Sequence, residues 1–258
     1  MIETWLDLPT AGLFAVLAAF YGATAAALTW LNFSATTGPA LRRFDGVVAP
    51  FFAAVSILFA LLTGFLASDV ADRNRQAFRA VQMEGGELHN VYTLSLASAS
   101  DMHDIRAALA SYVKTVVAEE WPAMAEDRRS PAASAGYDAL LREVSDPRIA
   151  QAAGNPVQVV LLNATVRAGT ARSSRLALAA DRTTDIKWAT ILLLGMMTQI
   201  SIALVHLQKR NAHVAALTVF SVSAVIALGL IALQERPFAG DLQVPPGPLL
   251  DLVKLTTQ

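Results

Sequence analysis

The chain has 258 residues, of which 54% are hydrophobic and 16% charged, and a formal net charge of −1. The apolar excess is the composition of a membrane protein rather than a soluble domain, and so small a charge gives no field to attract nucleic acid. Cysteine is absent, which excludes disulfides, thiolate nucleophiles and Cys-ligated metals.

A bilayer core of about 30 Å requires roughly 20 apolar residues of helix. Four segments meet that requirement with no Asp, Glu, Lys or Arg inside them: Ala11–Leu31, Val47–Ala67, Trp188–Leu207 and His213–Leu233. The residues before the first, "MIETWLDLPT", carry two acids and no Lys or Arg. That is the opposite of a secretory leader, so the first span is expected to be retained. The second runs through "SILFALLTGFLASDVADRNR" into charged residues without a proline, so one helix is expected to continue from lipid into water.

Between the pairs of spans, apolar residues recur at three and four and no alternating strand appears. The stretch "DVADRNRQAFRAVQMEGGELHNVYTLSLAS" extends the second span, followed by "DMHDIRAALASYVKTVVAEEWPAM", "AGYDALLREV" and "PVQVVLLNATVRAGTARSSRLALAADR". Asp101 and Asp104 read as helix starts, and Pro122, Pro131 and Pro147 as stops or first-turn residues. The run Val157–Leu162 is too short to cross a membrane and reads as the buried face of a soluble helix. The expected fold is an all-α membrane protein. Transmembrane pairs at 1–67 and 188–233 flank a helical soluble domain at 68–187, and a Pro-rich tail follows at 234–258.

Basic residues near the span ends are more numerous beside the central domain (Arg73, Arg75, Arg79, Arg172, Arg175, Arg182, Lys187, Arg236) than beside the hairpins (Arg42, Arg43, Lys209, Arg210). That places the domain in the cytosol. The two short hairpin loops are themselves basic and the N-terminal tail acidic, which argues the reverse.

On a helical wheel Ile57, Leu61, Gly64, Phe65, Ser68 and Asp72 share roughly a quarter of the circumference of the second span. One reading makes Ile57, Leu61 and Phe65 packing residues against a neighbouring helix. The other sets several copies around an axis, with apolar rings as a constriction that gates by dewetting and Ser68 and Asp72 at its mouth. Periodicity alone does not choose between them.

Glu84 and Glu87 flank Gly85-Gly86, and read as a solvated face or a pair with Arg79 rather than a catalytic dyad. The Gly-Gly step admits close approach of another helix or a bend. Glu119, Glu120 and Trp121 are expected to end an amphipathic helix at Pro122. The tryptophan faces the core with the acids in solvent, or the acids pair with Arg172–Arg175 across a subunit interface. Gln199 and Thr198, polar in mid-span, are expected to bond to a neighbouring helix. The histidines His89, His103, His206 and His213 lack metal-ligand spacing, and His206 and His213 read as interfacial anchors of the second hairpin. The tail "RPFAGDLQVPPGPL" reads as a strap without helix before Leu249, anchored by Phe238. No phosphate loop or nucleophile turn appears, and no span carries an acid, a base or a metal motif. The expectation is no enzyme, no cofactor and no metal.

The segment "PFFAAVSILFALLTGFLASDVADRNRQAFRAVQMEGGEL" resembles the second-helix signature of the bestrophins, matching on Gly64-Phe65 and Arg73. The chain as a whole is similar to a bacterial bestrophin-like family of unassigned function. The likeness includes the element Glu119 to Met124 with Glu120 and Trp121, Glu84 in the Gly-Gly segment, and the tail with Arg236, Pro237, Phe238 and Gly240. The resemblance implies a homo-oligomeric ion channel, a ring of five subunits whose neck is Ile57, Leu61 and Phe65, with Gly64 as a helix-approach position. It also implies permeating monovalent ions, a bacterial inner membrane and a cytosolic central domain. Arg73-Asn74-Arg75 stands where bestrophins usually place a tryptophan pair, and the tail holds only Asp241, too few carboxylates for a calcium clasp. The alternative function is a membrane-anchored helical scaffold or sensor that does not conduct.

Overall fold

Long apolar runs and proline-led starts give a chain of helices in the computed structural model, which describes residues 2–44, 49–98 and 100–256. In order they are α1 (Ile2–Leu6), α2 (Thr10–Phe33), α3 (Gly38–Leu41), α4 (Ala49–Ala97), α5 (His103–Thr115), α6 (Trp121–Ala125), α7 (Pro131–Val144), α8 (Pro147–Ala153), α9 (Asn155–Ala180), α10 (Asp185–Val205), α11 (Arg210–Leu233) and α12 (Gly247–Thr256). Among the described residues there is no strand. Among the described residues, four helices are long and apolar enough to cross a membrane: Thr10–Phe33, Phe52–Ala97, Asp185–Val205 and Arg210–Leu233. The expected start of the second span, Val47 and Val48, lies outside the described residues.

α4 does continue past its apolar half. It holds 49 residues, about 74 Å at 1.5 Å per residue, and its one proline, Pro50, sits in the first turn where the missing N–H costs nothing.

The chain forms two compact units, Met1–Ala71 with Arg182–Glu235, and Asp72–Asp181 with Arg236–Gln258. In the first, α2 packs chiefly on α11 and also on α10. Its core gathers Trp5, Leu17, Tyr21, Leu66, Val70, Trp188 and Leu228, with Trp5 and Trp188 edge to face at 5.2 Å. Gln199 is fully buried and ties three helices together. Its Nε2 donates to the Tyr21 carbonyl (3.0 Å) and to Ser221 Oγ (2.9 Å), and its Oε1 accepts from Thr24 Oγ1 (2.5 Å). The expected interhelical bond is therefore present at Gln199, whereas Thr198 donates only to the Leu194 carbonyl of its own helix. His213 is fully buried, edge to face with Phe33 at 5.2 Å. It is an interior residue and not the interfacial anchor expected of it, because its ring fills the space between the end of α2 and the start of α11.

In the second unit the core comprises Val81, Leu88, Leu109, Tyr112, Leu140, Leu161 and Phe238 among others. Ser130 caps α7 by accepting from Ala133 N–H at 3.1 Å, and Asp146 caps α8 by accepting from Arg148 N–H at 2.8 Å. Pro131 and Pro147 follow these caps as first-turn residues, the arrangement in which a missing N–H is harmless. Pro122 does not end the helix at Trp121 but stands in the first turn of α6, the other position expected of it. Residues Val116–Glu120 widen to a π turn, in which the Trp121 N–H donates to the Val116 carbonyl five residues back. That extra residue relieves the clash a proline makes with the carbonyl four before it, and the helix runs on to Ala125.

The run Val157–Leu162 lies in α9, but only Leu161 is fully buried, while Val159 and Val160 are exposed. Six successive residues encircle a helix, so one face of the chain's own core cannot cover them all. Gly85 fulfils the close-approach reading. A Cβ there would strike Pro248, whose backbone lies at 3.4 Å, so the glycine lets α12 lie directly on α4.

Candidate functional site

α4 presents the stripe singled out in the sequence. Ile57, Leu61 and Phe65 are 65%, 49% and 58% exposed, while the opposite side of the same helix buries Leu66 and Val70 in the first unit's core. Phe59 meets Phe220 at 5.5 Å. One helix thus has a packed face and a line of large apolar side chains that the chain itself leaves uncovered. Gly64 lies on that line, with no heavy atom of the described residues within 4 Å of where a Cβ would be. Ser68 and Asp72 continue the line and are exposed. The Asp72 carboxylate pairs with Arg75 one turn on, which offsets its charge. Arg73 points elsewhere and donates from Nε to Asp181 at 3.2 Å.

A second group lies inside the second unit. Arg175 is fully buried, as are Glu84 and Glu120. Its Nε and Nη2 hold Glu84 at 2.6 and 3.1 Å, and Nη2 also holds Glu120 Oε1 at 2.7 Å. Arg172 binds the same Glu120 through Nε at 3.1 Å and through Nη2, and Nη2 reaches Ser134 Oγ at 3.0 Å. Tyr112 donates its phenol to Glu84 Oε1 at 3.0 Å. Two acids and two bases balance, as burial of charge requires. Burial alone would raise the Glu120 carboxyl, but the Arg172 hydrogen bond and the Arg175 charge outweigh it and hold the group below its ordinary value. Burial, then the Glu84 charge, pushes the Tyr112 phenol well above the usual tyrosine range.

The motif residues of the tail join this cluster. Trp121 stands edge to face on Phe238 at 5.6 Å, and the Arg175 guanidinium lies 5.1 Å from the Trp121 ring centroid. Arg236 donates to the Ala125 carbonyl at 2.6 Å, the Pro237 carbonyl accepts from Val244 N–H at 2.7 Å, and Gly240 adopts a φ of 79° that favours glycine. Glu84, Glu120, Trp121, Arg236 and Phe238 therefore meet in one region.

The acids are corrected in two respects. Glu120 faces the core and not solvent, and its partners Arg172 and Arg175 come from its own chain and not across an interface. Glu84 pairs with Arg175, and its neighbour Glu87 pairs with Arg167 at 2.9 Å, while Arg79 is exposed. Among the described residues no three His, Asp or Glu side chains gather as a metal-binding group.

A model of the bestrophin-like domain matches residues 13–249. The chain belongs to the bestrophin-like family. Crystal structures of variants of a bacterial bestrophin homolog from Klebsiella pneumoniae share the bestrophin-like fold. One is 13% identical with a TM-score of 0.69 and covers 96% of this chain and 98% of its own. Another is 12% identical with a TM-score of 0.69 and covers 95% and 98%. No curated protein matches the chain. Within this bestrophin-like chain, sequence reasoning missed Arg175 as the centre of the charge cluster, along with Tyr112 and Ser134. One signal was available: Glu120 falls four residues after Val116 and eight after Tyr112, on the face that also carries Ile105 and Leu109.

Proposed function

We propose that the protein is a homo-oligomeric ion channel of the bestrophin-like type, five copies around an axis in a bacterial inner membrane, and not an enzyme. The residues of 68–187 and the tail lie in the cytosol, and 1–67 with 188–233 form the membrane part. In this reading α4 of each copy lines the axis. Ile57, Leu61 and Phe65 form an apolar neck that excludes water when narrow, Ser68 and Asp72 form its mouth, and Gly64 allows neighbouring helices to come close.

The observation that carries the reading is the uncovered apolar line on a helix that does not break, turning polar at Ser68 within one turn of Phe65. Side chains at fixed height on a continuous helix make rings when copies surround an axis. The Asp72–Arg75 pair suits passage of monovalent ions, since neither sign of charge stands alone at the mouth.

The test is current across planar bilayers under a salt gradient, for wild type and for Ile57, Leu61 and Phe65 all changed to Ala. A larger current in the triple variant, with a reversal potential away from zero, is expected. Folded oligomers of both proteins that carry no current would overturn the reading in favour of a membrane-anchored scaffold.

A further inference from the structure

Within the first unit a groove of about 730 Å³ runs between α2 and α11. Its floor on α2 is made of small residues, Gly22 and Ala26 among them, and its α11 wall carries Val222 and Ile226. A Cβ at Gly22 would have no heavy atom within 4 Å, so the floor is open. The contact of Phe33 with His213 fixes the start of α11 beside the end of α2, which puts Trp30 and Arg210 at one mouth. From Ala18 to Ser34 the groove extends about 24 Å along the helix, longer than the ~15 Å of one leaflet's hydrocarbon.

Its chemistry is asymmetric. No acid lines it, and the exposed Arg210 is the one charged residue in its lining. Trp30 is exposed, an aromatic of the kind that sits at the headgroup level. We infer that this groove is a binding site for an anionic phospholipid, the acyl chain lying along Gly22, Ala26 and Val222 and the phosphate meeting Arg210. A second copy of the chain fits the groove less well. In a ring every copy would set Arg210 of this groove at the same depth, and those like charges repel, whereas an anionic headgroup neutralises the guanidinium.

The inference rests on the membrane placement and not on conduction, so its test reads binding and needs no current. The purified full-length protein in detergent is titrated with dioleoyl phosphatidylglycerol and with dioleoyl phosphatidylcholine, and bound lipid is counted by native mass spectrometry. Wild type is expected to prefer the anionic lipid by about fivefold. Arg210→Gln, at an exposed helix start, is expected to bring the two lipids to parity, and Gly22→Trp to lose both. A benzophenone carried on Thr29→Cys, in a chain with no other cysteine, is expected to form adducts with lipid. Equal binding of the two lipids by wild type, or a preference unchanged in Arg210→Gln, would overturn the inference. So would a subunit-to-subunit adduct from position 29, which would show that a second copy fills the groove.

Discussion

Arg175 holds two carboxylates at once in a site without solvent, so the stability of the second unit depends on charges that cannot be removed singly. Neutralising one member leaves the others uncompensated, and such losses run to about 3–5 kcal/mol. Glu120→Gln is expected to lower stability by that amount in thermal or chemical unfolding. The same carboxyl sets the acid limit. Its folded value lies below the unfolded one, so its contribution is complete above the ordinary carboxylate range and lost as pH falls through the folded value. At the alkaline end the unfolded chain gives up the Tyr112 proton before the folded chain does, so stability falls as pH rises past the usual tyrosine range. Melts across pH should show a plateau between these limits, and Glu120→Gln should flatten the acid side. The sequence suggests a pairing of Glu120 with Arg172–Arg175 but not that they share one core. An acid on an apolar face reads as a solvent group until its partner is known, and the partners lie 52 and 55 residues away.

At the scale of elements the helices were largely legible, because spans of about 20 apolar residues and proline-led starts are local signals. The π turn before Pro122 was not, since proline predicts an interruption without saying whether the helix stops or widens. The exposure of Val159 and Val160 was missed because a run of apolar residues has no face of its own. Gly85 offers a clean test of helix packing. Alanine there would favour α4 by up to about 1 kcal/mol through propensity, yet its Cβ would strike Pro248, and overpacking of this kind costs about 1–3 kcal/mol. The contact should prevail. Gly85→Ala is expected to leave total helix content unchanged while α12 loses protection from proteolysis and hydrogen exchange. Unchanged protection of α12 would mean the strap can shift without loss.

For the whole molecule, the sequence reached the family and the four spans, but which surface of α4 meets water depends on copies that a single chain does not contain. In the proposed ring the stripe would form its constriction only under symmetry. Orientation belongs to this scale too. Arg129 lies exposed after α6, so Arg129→Cys supplies a single thiol in the second unit. It is expected to react with a membrane-impermeant maleimide in inside-out vesicles and to be protected in intact cells. Labelling in intact cells would reverse the proposed topology.

The charge cluster of buried Glu84, Glu120 and Arg175 with the part-buried Arg172 has a consequence for descent as well as for folding. Any lineage that loses one member passes through a protein with a stranded charge, several kcal/mol poorer than either neighbour. Apolar replacement of a whole buried charge set is often neutral, but no single substitution connects the charged set to the apolar one. The four positions are therefore expected to be inherited together or replaced together, as a block that drift cannot dismantle one residue at a time.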